Sequence, residues 1–286
     1  MKACVFCFSG TGNTELVAKM IQSNLTERGC ETDFFRMEDI TRGKIALAIE
    51  QYDLIGIGAQ VIGFGAPALV SRFIRMLPKV SRKRVFVFRT AGGVAPINYN
   101  ASKPMIRKLK RKGYDVFHER LFSINSNWIN RFDDEVARGL YHATQKKVSL
   151  MSDAVLRGVP RVLKTGLLQQ IMMESVMAVS KLFFRFVGRD FSVSDACTHC
   201  GLCVRNCPAE NIIDKNGKIS CRFSCNSCLR CLYDCPQNAI RLRSFAFFAV
   251  PGGYKIKDIL AGKTKSAGEP KPEPRFYQEY CSNDLL

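Results

Sequence analysis

The chain has 286 residues, of which 47% are hydrophobic and 24% are charged, a composition typical of a globular protein with room for two domains. A mean hydropathy of -0.05, without a long uncharged apolar run, argues against a membrane-spanning protein. Lys and Arg number 43 against 25 Asp and Glu, so the formal net charge of +18 predicts an acidic partner.

The N-terminal stretch predicts a protein that is not exported. Residues 1–15 contain one Lys and a short apolar run, but polar, glycine-rich sequence follows where a signal peptide would have its cleavage region. We therefore expect a cytoplasmic, reducing location. Thirteen cysteines in such a location indicate metal binding or free thiols instead of disulfides.

The first predicted element is a buried strand over residues 2–8, which leads through the turn SGTGNT into an amphipathic helix. Apolar residues recur on one face of this helix, at Leu16, Val17, Met20, Ile21 and Leu25. A glycine-rich turn before a helix presents backbone N–H groups at the positive end of the helix dipole. The turn is therefore predicted to bind a phosphate group, and a plain glycine turn is the alternative.

Three classes of phosphate-binding loop compete for this turn. A Walker loop requires a Lys that the turn lacks, and the dinucleotide fingerprint requires a glycine where Glu15 stands. The remaining class is a hydroxyl-lined loop, and SGTGNT resembles the flavodoxin loop S/T-x-T-G-x-T, which holds the phosphate of FMN. The resemblance implies FMN binding by Ser9, Gly10, Thr11, Gly12, Asn13 and Thr14.

Three more buried strands are predicted, over residues 52–59, 84–93 and 113–124, with helices over 68–77 and up to Leu109. Strands that are apolar on both faces and alternate with helices indicate an α/β fold with a doubly wound parallel sheet. Ligands of such sheets bind outside the carboxyl ends of the strands. The predicted flavin pocket therefore includes Ala59, Gln60, Val61, Ile62, Gly63 and Phe64, and also Thr90, Ala91, Gly92 and Gly93.

The order and spacing of these three loops resemble a flavodoxin-like domain over residues 1–150. Members of that family commonly have an aromatic residue in the second loop, where this chain has Ile62, and a Tyr before the glycines of the third, where it has Ala91. Stacking on the flavin ring then falls to Phe64 or to Trp128, or is absent.

Nine of the thirteen cysteines lie between residues 197 and 235, where the pattern C-x2-C-x2-C-x3-C-P occurs twice. This spacing is typical of 4Fe-4S clusters, because three thiolates come from one tight loop while the fourth cysteine ligates the other cluster. A zinc ribbon is the alternative, although zinc usually takes two separated pairs. One ligand set is therefore predicted to be Cys197, Cys200, Cys203 and Cys235, and the other Cys225, Cys228, Cys231 and Cys207.

The segment from Asp190 to Leu242 resembles a bacterial two-cluster ferredoxin, in which NII at 211–213 and NAI at 238–240 supply short strands. Cys221 lies outside both ligand sets and is expected to be a bystander, with a redox role as the alternative. The whole chain is similar to the EFR1-type flavodoxin-ferredoxin fusions of anaerobic bacteria and archaea.

This resemblance divides the chain into a flavodoxin-like domain at 1–150, a helical linker at 151–189, an α+β ferredoxin domain at 190–245 and a C-terminal extension at 246–286. Residues 262–275 of the extension are predicted to be disordered. The apolar stretch 165–187 is predicted to form a helical bridge packed between the domains. A docking surface for a partner or a peripheral membrane contact is the alternative, because basic residues flank the stretch.

The implied function is an oxidoreductase-type electron carrier, which relays electrons between two 4Fe-4S clusters and FMN and on to an acidic redox partner. A flavin-dependent reductase of a small molecule, fed by the clusters, and a redox sensor are the alternatives. Two basic runs without an acid, at 72–89 and 103–112, agree with an acidic partner. Nucleic acid is not expected, because no recognisable binding module is present.

Overall fold

The computed structural model describes residues 1–129, 131–263 and 273–283. Five parallel strands form the central sheet of the N-terminal half, in the order β2-β1-β3-β4-β5. This is the strand order of flavodoxin-like doubly wound folds, so the predicted fold class is confirmed for this half of the chain. The strands are β1 (Lys2–Phe8), β2 (Glu31–Arg36), β3 (Leu54–Gln60), β4 (Lys83–Ala91) and β5 (Tyr114–Ser123).

Helices cover both faces of this sheet. They are α1 (Asn13–Glu27), α2 (Met37–Thr41), α3 (Ala68–Met76), α4 (Lys103–Lys110) and α5 (Asp134–Leu156), with a 3₁₀ helix over Pro96–Ser102. Buried side chains of α1 and α5 share one apolar core with β1 and β4, while those of α3 and α4 share another core on the opposite face. The two cores hold the strands in register, so that their carboxyl ends meet at one edge.

Strand β2 is the one sheet strand that the sequence analysis does not predict. Its sequence, ETDFFR, has three charged residues, and of its six residues only Thr32 is buried. The strand lies at the edge of the sheet and pairs with β1 alone. Edge strands tolerate polar residues because one side of the strand faces solvent, so this strand lacks the apolar signal of the central strands.

The C-terminal half begins with the long helix α6 (Leu167–Val187), which is followed by short elements around the cysteines. These are β6 (Phe191–Val193), α7 (Leu202–Asn206), β7 (Ile212–Lys215), β8 (Lys218–Cys221), α8 (Arg230–Tyr233) and β9 (Ile240–Leu242). Strand β6 pairs antiparallel with β9, and β7 with β8. The segments NII and NAI therefore lie at the starts of β7 and β9, and the β6–β9 pair joins the two ends of the cysteine-rich segment.

The C-terminal extension forms α9 (Ile256–Leu260) and α10 (Tyr277–Ser282), and both contact the N-terminal half. Tyr254 donates a hydrogen bond to Oδ1 of Asn13 at 2.8 Å, and the Tyr280 hydroxyl lies 2.9 Å from Oγ1 of Thr144 on α5. The expected disorder at 262–275 falls mostly on residues 264–272, which lie outside the described residues.

Two predicted features of the linker differ from the structure. Helix α5 continues past the predicted domain boundary at residue 150 and ends at Leu156. Helix α6 is only partly a packed bridge, because its buried side chains are those of Met173, Met177 and Val187. Within the described ranges, none of the helices is long and apolar enough to cross a membrane.

Candidate functional site

The turn between β1 and α1 presents unpaired backbone donors at the carboxyl edge of the sheet. Gly12 has φ of 96°, a left-handed conformation that favours glycine, and it brings the chain directly into the helix. The first intrahelical bond runs from the Leu16 N–H to the Gly12 carbonyl at 2.8 Å. The N–H groups of Asn13, Thr14 and Glu15 therefore have no partner inside the helix and are available to an anion.

A partly open cavity lies at this turn, and we call it the loop cavity. It brings together residues from all three predicted flavin loops, namely Ser9, Gly10, Thr11, Asn13, Thr14, Gln60, Val61, Ile62, Thr90, Ala91 and Gly92. The remaining predicted residues do not line it. Ala59 is fully buried in the core, Gly12 faces Ile256, and Gly63 and Gly93 face aromatic rings, while Phe64 also lies away from the cavity wall.

A fourth loop also lines the cavity and is largely missed by the sequence analysis. It follows β5 and contributes Ile124, Asn125, Ser126, Asn127 and Trp128, of which Trp128 alone was singled out. The Asn13 side chain donates to the Asn125 carbonyl at 2.7 Å, and Asn127 Nδ2 donates to Thr11 Oγ1 at 2.6 Å. The rule that ligands bind at the carboxyl ends of parallel strands applies to β5 as well, so this rule is the signal that could have identified the loop.

Two polar atoms in the wall of the loop cavity have no hydrogen-bond partner and suit a ligand that accepts hydrogen bonds. Among the described residues, the buried Ser9 hydroxyl and the Asn125 Nδ2 atom have no hydrogen-bond partner. Buried polar groups are nearly always paired, so each of these atoms calls for a ligand or a water molecule. Thr14 and Thr90 add hydroxyl groups 2.7 Å apart at the wall of the same cavity. These neutral donors fit the phosphate group of FMN.

The aromatic residue at the loop cavity is Trp128. Its ring contacts Phe184 of α6 at 5.2 Å and Phe248 at 4.9 Å between ring centroids, so its position is held by an aromatic group outside the sheet. Ile62 and Ala91 also line the cavity, and neither has a ring. Of the two stacking candidates from the sequence, only Trp128 borders the cavity.

The eight motif cysteines surround two further cavities. The first cysteine cavity is bordered by Cys197, Cys200, Cys203 and Cys235. The second cysteine cavity is bordered by Cys207, Cys225, Cys228 and Cys231. The fold therefore gathers the cysteines in the two crossed sets that the spacing predicts, and Cys221 borders neither cavity.

The backbone around the two cysteine cavities repeats the same rare conformation at equivalent positions. His199 and Ser227, which precede the second cysteine of each motif, have φ of 53° and 49°, and Gly201 and Leu229, which follow it, have φ of 70° and 58°. Left-handed residues in such turns direct successive N–H groups into one concavity, an arrangement found at many iron–sulfur sites. Leu229 is a bulky residue in this conformation, so its backbone is strained.

Backbone N–H groups also point at the cysteine sulfurs. The Asn211 N–H lies 3.2 Å from Cys207 Sγ, and the Ala239 N–H lies 3.3 Å from Cys235 Sγ, so each crossing cysteine accepts a bond from the residue four positions later. The Ser227 N–H lies 3.2 Å from Cys225 Sγ. Hydrogen bonds to the sulfurs stabilise the thiolate form and tune the potential of iron–sulfur clusters.

The described part of the chain contains no group of three or more His, Cys, Asp or Glu side chains placed to hold a metal ion. The predicted clusters therefore rest on the spacing of the cysteines along the chain and on the two cavities that these cysteines border. Burial raises the pKa of Cys225 to about 12 and that of Cys228 to about 11, so metal binding there would release protons.

The second cysteine cavity and the loop cavity share a wall at Gly10. A Cβ placed on Gly10 would lie 2.9 Å from Cβ of Cys228 and nearer still to the Cys228 carbonyl oxygen. Arg230, two residues further on, donates to the Gly10 carbonyl at 3.1 Å and to the Ser9 carbonyl, and it pairs with Glu38 at 2.6 Å. The cysteine-rich segment is therefore attached directly to the turn that lines the loop cavity.

Comparisons with known proteins return similar folds and no assigned family. No protein-family model matches the chain, and no curated protein matches it either. Oxidised flavodoxin 2 from Bacillus cereus is similar to 55% of this chain and 99% of its own length, with 18% identity and a TM-score of 0.42. The two-electron reduced flavodoxin of Megasphaera elsdenii is similar to 42% of this chain and 85% of its own length, with 24% identity and a TM-score of 0.34.

The close approach at Gly10 leads to a first prediction. We expect Gly10→Ala to destabilise the protein by about 1–3 kcal/mol, because the added methyl group overlaps the backbone of Cys228 and forces the two segments apart. Urea unfolding measures the change. Gly166→Ala is the matched control, since nothing lies within 4 Å of its added methyl group. Equal stability of the two variants would contradict the shared wall.

Proposed function

We propose that this protein is an electron carrier that holds two 4Fe-4S clusters and one FMN in a single relay. The observation that carries the proposal is the arrangement of the three cavities. Each cysteine cavity is bordered by four thiols, and the second of them adjoins the loop cavity through Cys228 and Gly10. A fixed contact between the two sites lets electrons pass without diffusion of separate carriers.

The residues that line each cavity are those that would hold the cluster or the FMN there. Cys197, Cys200, Cys203 and Cys235 would ligate one cluster, and Cys207, Cys225, Cys228 and Cys231 the other. Ser9, Thr11, Asn13 and Thr14 would donate to the FMN phosphate. When bound, the clusters supply one-electron transfer and FMN supplies exchange between single electrons and electron pairs.

Burial of the cysteines supports an order of the two clusters, with the first nearer the surface and the second nearer the interior. Cys200 of the first cysteine cavity is exposed, whereas Cys207 and Cys228 of the second are buried. Arg230 joins the two sites, because it donates to the Ser9 and Gly10 carbonyls and pairs with Glu38. An external redox partner would therefore meet the first cluster, and the second cluster would connect it with FMN.

Composition of the purified protein tests the proposal directly. Anaerobic purification is expected to give about eight irons and eight acid-labile sulfides per chain, from the two cysteine sets. Acid release is expected to yield one FMN, identified by chromatography and fluorescence. Zinc in place of iron, or a dinucleotide in place of FMN, would overturn the assignment.

Removal of hydroxyl donors from the phosphate turn gives a second prediction. We expect Ser9→Ala combined with Thr11→Val to weaken FMN binding by at least about a hundredfold, because each lost hydrogen bond to a charged group costs about 1.5–3 kcal/mol. Fluorescence titration of the flavin-free protein measures the affinity, and the iron content should stay unchanged. Ser23→Ala is the control, because Ser23 bonds Glu27 on the exposed side of α1. Unchanged FMN affinity in the double variant would reject the site.

A further inference from the structure

Helix α6 carries a row of large apolar side chains that face solvent. Exposed fractions along the row are 81% for Leu168, 57% for Met172, 70% for Val179, 52% for Leu182 and 53% for Phe186. The spacing of three, four and seven residues places them on one side of the helix through its full length. We call this row, together with Ile171, the apolar stripe.

The fold does not need the apolar stripe, because α6 is anchored by its opposite side. Met177 packs on Gly65, and Ser180 and Phe184 pack on Gly63 in the loop after β3. Phe186 contacts the Phe223 ring at 4.9 Å between ring centroids, yet it and the other side chains of the stripe remain more than half exposed. At 1.5 Å per residue the helix is about 30 Å long, and exposed apolar surfaces of this extent mark interaction sites.

Aromatic side chains extend the exposed apolar surface at the C-terminal end of α6. Phe247 is 60% exposed and lies on a short turn beside Phe248 and Phe245. Phe183 of α6 contacts the Phe245 and Phe248 rings, so the turn and the helix form one continuous surface. Exposed aromatic and aliphatic side chains on one such surface are typical of helices that lie at a lipid interface.

Four cations lie beside α6, on the side of the helix that faces α3. They are Arg72, Arg75, Lys181 and Arg185, and the cavity that they line has no Asp or Glu among the described residues. The one acid of α6, Glu174, is already paired with Arg107 at 2.6 Å. Four cations that share a cavity repel one another, so a negatively charged group in that cavity would stabilise them.

Two kinds of partner could cover this surface, a second copy of the chain or a lipid bilayer, and the distribution of charge favours the bilayer. A second copy of the chain would bring one set of these cations against another, since α6 offers no free acid to pair with them. A bilayer with anionic lipids presents phosphate groups to the cations and acyl chains to the apolar stripe. We infer that α6 and its bordering cations dock the protein on an anionic lipid surface, with the helix parallel to the membrane.

Vesicle co-sedimentation of the loaded, full-length protein tests this inference. We expect binding to vesicles of equal parts phosphatidylcholine and phosphatidylglycerol, and little binding to phosphatidylcholine alone. Leu168→Gln combined with Val179→Gln should weaken binding by at least about tenfold, because both side chains would leave the acyl region. Lys181→Gln combined with Arg185→Gln should weaken it by about fivefold for each charge removed.

Two control variants show whether vesicle binding depends on this surface or only on exposed apolar area and positive charge anywhere on the protein. Leu150→Gln with Met76→Gln replaces two exposed apolar residues outside the stripe, 41% and 46% exposed. Lys215→Gln with Lys218→Gln removes two exposed charges from the β7–β8 hairpin. Both control variants should bind vesicles like the unmodified protein.

Three outcomes would overturn the inference. The first is the absence of vesicle binding, and the second is binding that the stripe variant retains in full. The third is a dimer or a complex with an acidic protein that the stripe variant abolishes while vesicle binding is absent. All of these measurements are independent of the iron and FMN contents.

Discussion

Replacement of Cys228 with Ala is expected to remove about half of the iron, about four atoms per chain, and to stop electron transfer to the flavin. Cys228 borders the second cysteine cavity and contacts Gly10 of the loop cavity. Under the proposed function, loss of one ligand at the buried site would leave that cluster incomplete, and the other cluster would be held at the first cysteine cavity, which does not adjoin Gly10. Iron analysis measures the first effect, and flavin absorbance after rapid reduction of the clusters measures the second.

Cys221→Ala is the control for this experiment. Cys221 ends β8 in the same segment, but it borders neither cysteine cavity. This variant should keep its iron and its rate of flavin reduction. Equal iron loss in the two variants would reject the ligand assignment, and full flavin reduction in Cys228→Ala would reject the relay.

Single Cys→Ala variants test whether the two ligand sets are crossed, because the two sets are expected to differ in their effect on flavin reduction. Cys207 belongs to the first motif in sequence but borders the second cavity, so Cys207→Ala should behave like Cys228→Ala. Cys235→Ala should lose iron from the first cavity and leave the cluster next to the flavin in place. If the sets were not crossed, these two variants would exchange their effects.

Arg230→Met is expected to destabilise the protein by about 3–5 kcal/mol, because breaking a buried ion pair leaves an uncompensated charge. Arg230 is 14% exposed and Glu38 is 4% exposed, and their side chains lie 2.6 Å apart. The same guanidinium group also donates to carbonyl oxygens of Gly10 and Asn206 at 3.1 Å. Denaturant unfolding followed by circular dichroism measures the loss.

Two companion variants show whether the buried pair is the cause. Arg36→Met removes a pair with Glu15 in which Arg36 is 52% exposed, and it should cost no more than about 1 kcal/mol. Glu38→Gln in the Arg230→Met background should recover part of the lost stability, since the buried carboxylate is then neutral. A small effect of Arg230→Met would mean that the cysteine-rich segment is held by other contacts.

The sequence alone was sufficient to predict the motifs that involve only a few neighbouring residues. The turn SGTGNT and the spacing of Cys197, Cys200 and Cys203 act over a few residues, so the pattern indicates the phosphate turn and the tight cysteine loop directly. Central strands such as β3 were also predicted well, because burial on both faces requires an apolar run. The polar edge strand β2 has no such requirement and was missed.

Only the tertiary structure decided which distant residues meet. Tyr254 reaches Asn13, the loop with Asn125 joins the cavity, and Cys228 packs against Gly10, although no local pattern links these positions. The sequence likewise shows that α6 is apolar on several sides, but packing alone selects the side of Met173 and Met177 for burial and leaves the other exposed. A periodic pattern involves residues that are neighbours along the chain, so it can be recognised in the sequence. Contacts between distant residues depend on how the whole chain folds, so sequence patterns alone do not predict them.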